Sequence, residues 1–253
     1  MKGAVARIAL IVALTIGVFF LSGILGALAA GFAVGYFAVQ DLVPPGFSLE
    51  EMLTSSGIAT GPLSDLHFGT TGILFIANGL AMAGLAIIAA RLTLGHAQGE
   101  ATAFRPAPAG LIVSAASVLP IMLIAAFAAA YGLFGIEIPP EVGLNLNALW
   151  PWAYVVGLVV AAPLGEEIAF RGYLQGGVTA VTGRPFTAVV MSTIAWALIH
   201  VGQGIPKALA LIPVGLALGY LRARSNSLWP GLIGHMAMNA AGLVYMVWLA
   251  RGA

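Results

Sequence analysis

The chain has 253 residues, 60% hydrophobic and only 8% charged, with a formal net charge of +1. A mean hydropathy of +1.03 excludes an ordinary water-soluble domain and implies an integral membrane protein. The few basic residues are scattered, which gives no support to a nucleic-acid role, and zero cysteines exclude disulfides, thiolate metal sites and thiol nucleophiles.

Lys2 and Arg7 precede an apolar run from Ile8 to about Val39. This opening imitates a signal peptide, and Ala27-Leu28-Ala29 would suit a signal peptidase. The run far exceeds the roughly 7–15 residues of a signal h-region, so it is read as a retained first span. Six more apolar stretches follow: Phe68–Ala90, Gly110–Phe134, Trp150–Gln175, Phe186–Val201, Ala208–Leu221 and Leu228–Leu249. The first run is long enough to hold a second short element. The expected fold is therefore all-α, a polytopic transmembrane helical bundle of seven or eight spans. Barrel-type alternation is absent. The stretch 41–67, with Pro44-Pro45 and Ser55-Ser56-Gly57, reads as an exposed connection. No second domain is apparent: N-terminal helices and loops (1–148) and a C-terminal helical core (149–253) make one membrane domain.

Charge alternates between the connections. Lys2, Arg7, Arg91, Arg105, Arg184, Arg222 and Arg224 fall at one set of ends, and Asp41, Glu50, Glu51, Asp65, Glu137 and Glu141 at the other. The positive-inside rule places the N-terminus and the basic set in the cytoplasm. Among 33 glycines, the pairs Gly31/Gly35, Gly172/Gly176 and Gly215/Gly219 have the small-xxx-small spacing that lets helices approach. Packing within one chain is expected of them, rather than a dimer seam.

Charged side chains are costly at membrane depth, by roughly 2.5–3.5 kcal/mol each on insertion scales. Away from loops and span ends, those inside apolar segments are Glu166, Glu167, Arg171, His200 and His235, with Asn239 one turn after His235. Glu167 and Arg171 stand i,i+4 with the acid first, the favourable order for an intrahelical ion pair. Glu166 points about 100° away and is left free. Counted from the polar turns at about 1.5 Å per residue, Glu166, His200, His235 and Asn239 lie roughly 15, 21, 10 and 16 Å deep. Three helices thus present them near one level.

Their chemistry leaves two routes open. A free Glu beside a His can take a proton from water and later pass it to a leaving amine. His235 and Asn239, on one helix face, can then donate to a developing oxyanion. Alternatively, Glu166, His200 and His235 could hold a catalytic zinc with one open position.

The motifs Glu166-Glu167-x-x-x-Arg171, Trp196-x-x-x-His200 and His235-x-x-x-Asn239 resemble, in order, those of the CPBP family of intramembrane proteases. That family includes type II CAAX prenyl endopeptidases and bacterial Abi proteins linked to bacteriocin immunity. The resemblance covers roughly Trp150 to Val247, and Trp196 stands where the family commonly has Phe. It implies that 149–253 is the catalytic core, that Glu166 and His200 activate water, that His235 and Asn239 form the oxyanion hole, and that Glu167 and Arg171 support the site. The expected substrate is a peptide or membrane-associated protein, the expected surroundings a lipid bilayer, and the location a bacterial inner or plasma membrane. A metal-free mechanism is the expectation, with zinc as its alternative. The rival readings are a transporter or ion pathway, and a non-catalytic immunity or scaffold member that binds a peptide or partner.

Overall fold

A computed structural model describes residues 2–33, 62–100, 102–135 and 151–250. Among these residues every regular element is helical. Four of the helices are α1 (Lys2–Ala33), α2 (Pro62–Thr93), α3 (Ala109–Phe134) and α5 (Pro185–Leu198). Helix α4 runs on through Pro151–Val156, Gly157–Ala161, Ala162–Glu166, Glu167–Gln175 and Gly176–Thr182. The last two are α6 (Ile205–Ser225) and α7 (Trp229–Ala250). Helices α1, α2, α3, α4 and α6 are long and apolar enough to cross a membrane, whereas α5 is apolar but shorter.

Several boundaries differ from expectation. Residues 62–67, read as loop, already belong to α2, while 41–61 and the end of the first predicted span lie outside the described residues. Helix α4 passes through Gly177 and stops at Thr182, where Gly183 takes φ 65°. Glu166 therefore lies farther from the end of its helix than the sequence count made it. Helix α5 ends sooner than predicted: His200 sits in a turn beyond Leu198, followed by a short 3₁₀ turn, Val201–Gln203. Gly204 closes that turn at φ 110°, a backbone region that a residue with a Cβ rarely enters.

Helix α4 is the hub. Helix α1 lies along α2, α2 along α4, and α3 against both α6 and α7, while α5 pairs with α6 and the lower turns of α4. Phe170, Tyr173, Leu174, Trp196, Val214 and Leu218 fill the centre. Phe20, Leu92, Ile121, Leu133 and Phe186 face outward, as side chains meant for lipid do.

Glycines set the closest crossings. A Cβ on Gly79 would fall on the carbonyl of Ala161, and one on Gly72 on the backbone at Tyr154. Gly165 in turn faces the Gly79 carbonyl, so α2 and α4 meet backbone to backbone. Of the three predicted small-residue pairs, Gly215 and Gly219 serve intrachain packing, against Thr193 and Val189 of α5. Gly31 has nothing near it, and Gly35 lies outside the described residues. Gly79→Ala should therefore force α2 and α4 apart, at about 1–3 kcal/mol, the usual range for overpacking. Thermal unfolding in detergent checks this; an unchanged midpoint would contradict so close a crossing.

Two of the basic residues expected on one side, Arg105 and Arg222, meet at one acid. Arg222 and Arg105 both bind Glu100, at 2.6 and 2.8 Å, and the Ser227 hydroxyl donates to the Arg105 carbonyl at 2.6 Å. Burial raises the Glu100 carboxyl, but hydrogen bonds from Arg105 and Arg222 and their charges outweigh it and hold the group below its ordinary value. A cavity of about 290 Å³, lined by Glu100, Gln175, Thr179, Pro185 and Arg222, lies at this end.

Candidate active site

The site is built where α4 departs from α-helical geometry. Two stretches, Gly157–Ala161 and Glu167–Gln175, are π-helical, a form often found at functional positions. Pro163 connects the first of them to the chemistry. In the π turn the Ala162 N–H reaches back to the Gly157 carbonyl. The Leu158 carbonyl would then need the N–H of residue 163, which proline lacks. Asn239 supplies the donor instead: its Nδ2 lies 2.9 Å from that carbonyl. This hydrogen bond ties α7 to α4 and fixes the register of the helix that carries His235.

The twin acids sit at the junction with the second π stretch and meet opposite fates. Glu167 is fully buried. Its Oε1 lies 3.2 Å from Arg171 Nη1 and 3.1 Å from His235 Nδ1. Its Oε2 is directed toward α7, where a Cβ on Gly231 would come within 2.9 Å of it. Glu166 keeps 16% side-chain exposure. Its Oε2 accepts from the indole Nε1 of Trp196 at 2.5 Å and lies 3.8 Å from His235 Nε2. The expected pair Glu167–Arg171 is present, and Glu166 is not part of it.

The histidines are oriented through their Nδ1 atoms. His200 Nδ1 is 2.8 Å from the Trp196 carbonyl, an oxygen that can only accept, so this nitrogen carries hydrogen and Nε2 is the free one. The ring stands edge-to-face with Trp196 at 5.3 Å, within electrostatic range of Glu166. His235 is buried and gives Nδ1–H to Glu167, the carboxylate–histidine arrangement that fixes ring orientation and tautomer. A hydrogen bond donated by its Nε2 then requires the doubly protonated ring, and Glu167 is placed to compensate that charge.

Glu166, Glu167, Arg171, Trp196 and His235 thus form one contiguous cluster, with His200 on its Trp196 edge. Asn239, one turn farther along α7, uses an amide hydrogen on Leu158 rather than on that cluster. Among the described residues no group of three or more His, Cys, Asp or Glu side chains is arranged to hold a metal ion.

Two partners escaped the sequence reading. The Trp196 N–H was legible as a buried donor in need of an acceptor. The bond from Asn239 to Leu158 had its signal in Pro163, five residues after Leu158.

The comparison with known families bears on this region. Residues 148–241 match the family described as Type II CAAX prenyl endopeptidase Rce1-like. This part of the chain is similar to that family. Among curated proteins and solved structures nothing matches. The matched stretch takes in α4, holds every side chain of the cluster and ends in α7 just beyond Asn239. The similarity points to protease activity on a protein or peptide in a membrane.

Proposed function

We propose that the chain is an intramembrane endopeptidase in which Glu166 is the general base. The observation that carries this reading is the unequal treatment of two adjacent acids. Glu167 is buried and committed to Arg171 and His235, whereas Glu166 retains exposure and faces His235 Nε2. In the proposed reaction, Glu166, assisted by the Nε2 lone pair of His200, takes a proton from water as the water oxygen bonds to the scissile carbonyl carbon. The carbonyl electrons move onto oxygen, and protonated His235 donates to that oxyanion. Asn239 keeps a second amide hydrogen for the same oxygen. The proton held by Glu166 passes to the leaving nitrogen as the C–N bond breaks. Glu167 and Arg171 support His235 without touching substrate.

The substrate is a peptide or membrane-associated protein, reached from the bilayer with the N-terminus and the basic helix ends in the cytoplasm. The match to a protease domain favours this over a transporter or a non-catalytic scaffold. Membrane proteomes of cells carrying the native chain and Glu166→Gln provide the test, since cleaved peptides should disappear with the variant. Identical peptide profiles would sink the protease reading. The proposed chemistry uses no metal. Exhaustive chelation should leave turnover unchanged; activity lost on chelation and restored by one equivalent of zinc would overturn that part.

A further inference from the structure

We propose that Trp196 is a positioning residue for the general base, holding Glu166 by its N–H while its ring face carries Arg171, so that one guanidinium governs both acids. The proposal rests on the protease reading and adds to it a residue that was singled out only as an aromatic.

Indole has one donor and no acceptor, and Trp196 is 1% exposed, so its N–H needs a partner within the bundle. That partner is Glu166 Oε2 at 2.5 Å, a charge-assisted hydrogen bond. A carboxylate otherwise turns broadly about its last torsion. With Oε2 held, the turn is stopped and Oε1 is the oxygen left for a water.

The Arg171 guanidinium carbon lies 4.5 Å from the centre of the Trp196 ring. A cation over the ring face is attracted by its π-electrons and withdraws density from them, which strengthens the N–H as a donor. Arg171 thus acts on Glu167 by direct pairing and on Glu166 through the indole. The Trp196 backbone carbonyl accepts from His200 Nδ1. Base, histidine and guanidinium are all referred to one side chain.

The fold makes room for this larger ring. A Cβ on Gly215 would come within 3.2 Å of Trp196 Cε3 and 2.8 Å of Thr193 Cγ2. Helix α6 lacks a side chain where the indole presses. Phenylalanine would keep an aromatic face for Arg171 but could donate nothing to Glu166.

The test is Trp196→Phe in lipid nanodiscs. Turnover should fall about 10- to 100-fold, the usual worth of a hydrogen bond to a charged group. KM should stay near native, because Trp196 meets the base and not the substrate. The second readout is the indole N–H resonance of protein labelled with ¹⁵N-tryptophan. The peak missing in Trp196→Phe should shift in Glu166→Gln, and shift less in Arg171→Lys. A Trp196→Phe variant with native kcat, or an indole peak unmoved by Glu166→Gln, would overturn the proposal. If Trp196→Phe does not fold, the resonance in Glu166→Gln decides alone, with the peak assigned through Trp196→His. A native protein that cleaves nothing, with the resonance shift intact, would leave the contact standing and sink both the protease reading and the positioning role.

Discussion

Glu166→Gln is expected to lower turnover by about 10²–10⁴-fold, the typical contribution of a positioned acid or base, while folding normally. The amide keeps the size of the acid and an oxygen that can accept from Trp196, so packing around α5 changes little. What it loses is the lone-pair basicity that takes a proton from water. The same exchange one residue along should behave differently. Glu167 already lies between Arg171 and His235, and Glu167→Gln should show first as a lower unfolding midpoint, with activity falling because protonated His235 loses the negative charge that compensates it. Single-turnover kinetics on folded material separates the two. Native turnover in well-folded Glu166→Gln would remove the general-base assignment, whatever Glu167→Gln does.

Much of this division was legible before any coordinates. Helical spacing alone paired Glu167 with Arg171 and turned Glu166 elsewhere, because i,i+4 neighbours share a face even when the helix loosens into π geometry. The three helices that meet at the site, and their all-helical class, followed from apolar runs separated by polar turns. Helix ends were less legible. Helix α4 outlasted its predicted limit because Gly176 and Gly177 pack inside the bundle, against Glu100 and against Leu94 and Ile11, and do not mark a turn. The early stop of α5 had a signal in Gly202, Gly204 and Pro206, but the apolar run through Val201 masked it. The π stretches leave no periodic trace in so uniformly apolar a helix. Hydrogen bonds between distant segments, such as Trp196 to Glu166 across 30 residues, depend on how helices are arranged, which spacing within one helix does not encode.

Removing one partner of the Glu167–Arg171 pair should produce the largest loss of stability available in this site. Both residues are 0% exposed, so neither charge can turn to solvent when the other is gone. Arg171→Met leaves Glu167 next to Glu166 with only His235 to compensate, and Glu167→Leu leaves a guanidinium stacked on Trp196. Each single variant should lose about 3–5 kcal/mol, the range for breaking a buried ion pair from one side. The double variant removes both charges and fills similar volume with apolar side chains. It should recover most of that loss, because desolvation of a buried pair commonly offsets its attraction. Activity should not return with stability, since His235 Nδ1 would have no carboxylate and the Trp196 face no cation. Unfolding free energies of the four proteins, with turnover measured on each, form a complete cycle. A double variant as unstable as either single one would mean that the pair contributes net stability. One that regained native turnover would mean that Glu167 and Arg171 serve the fold alone.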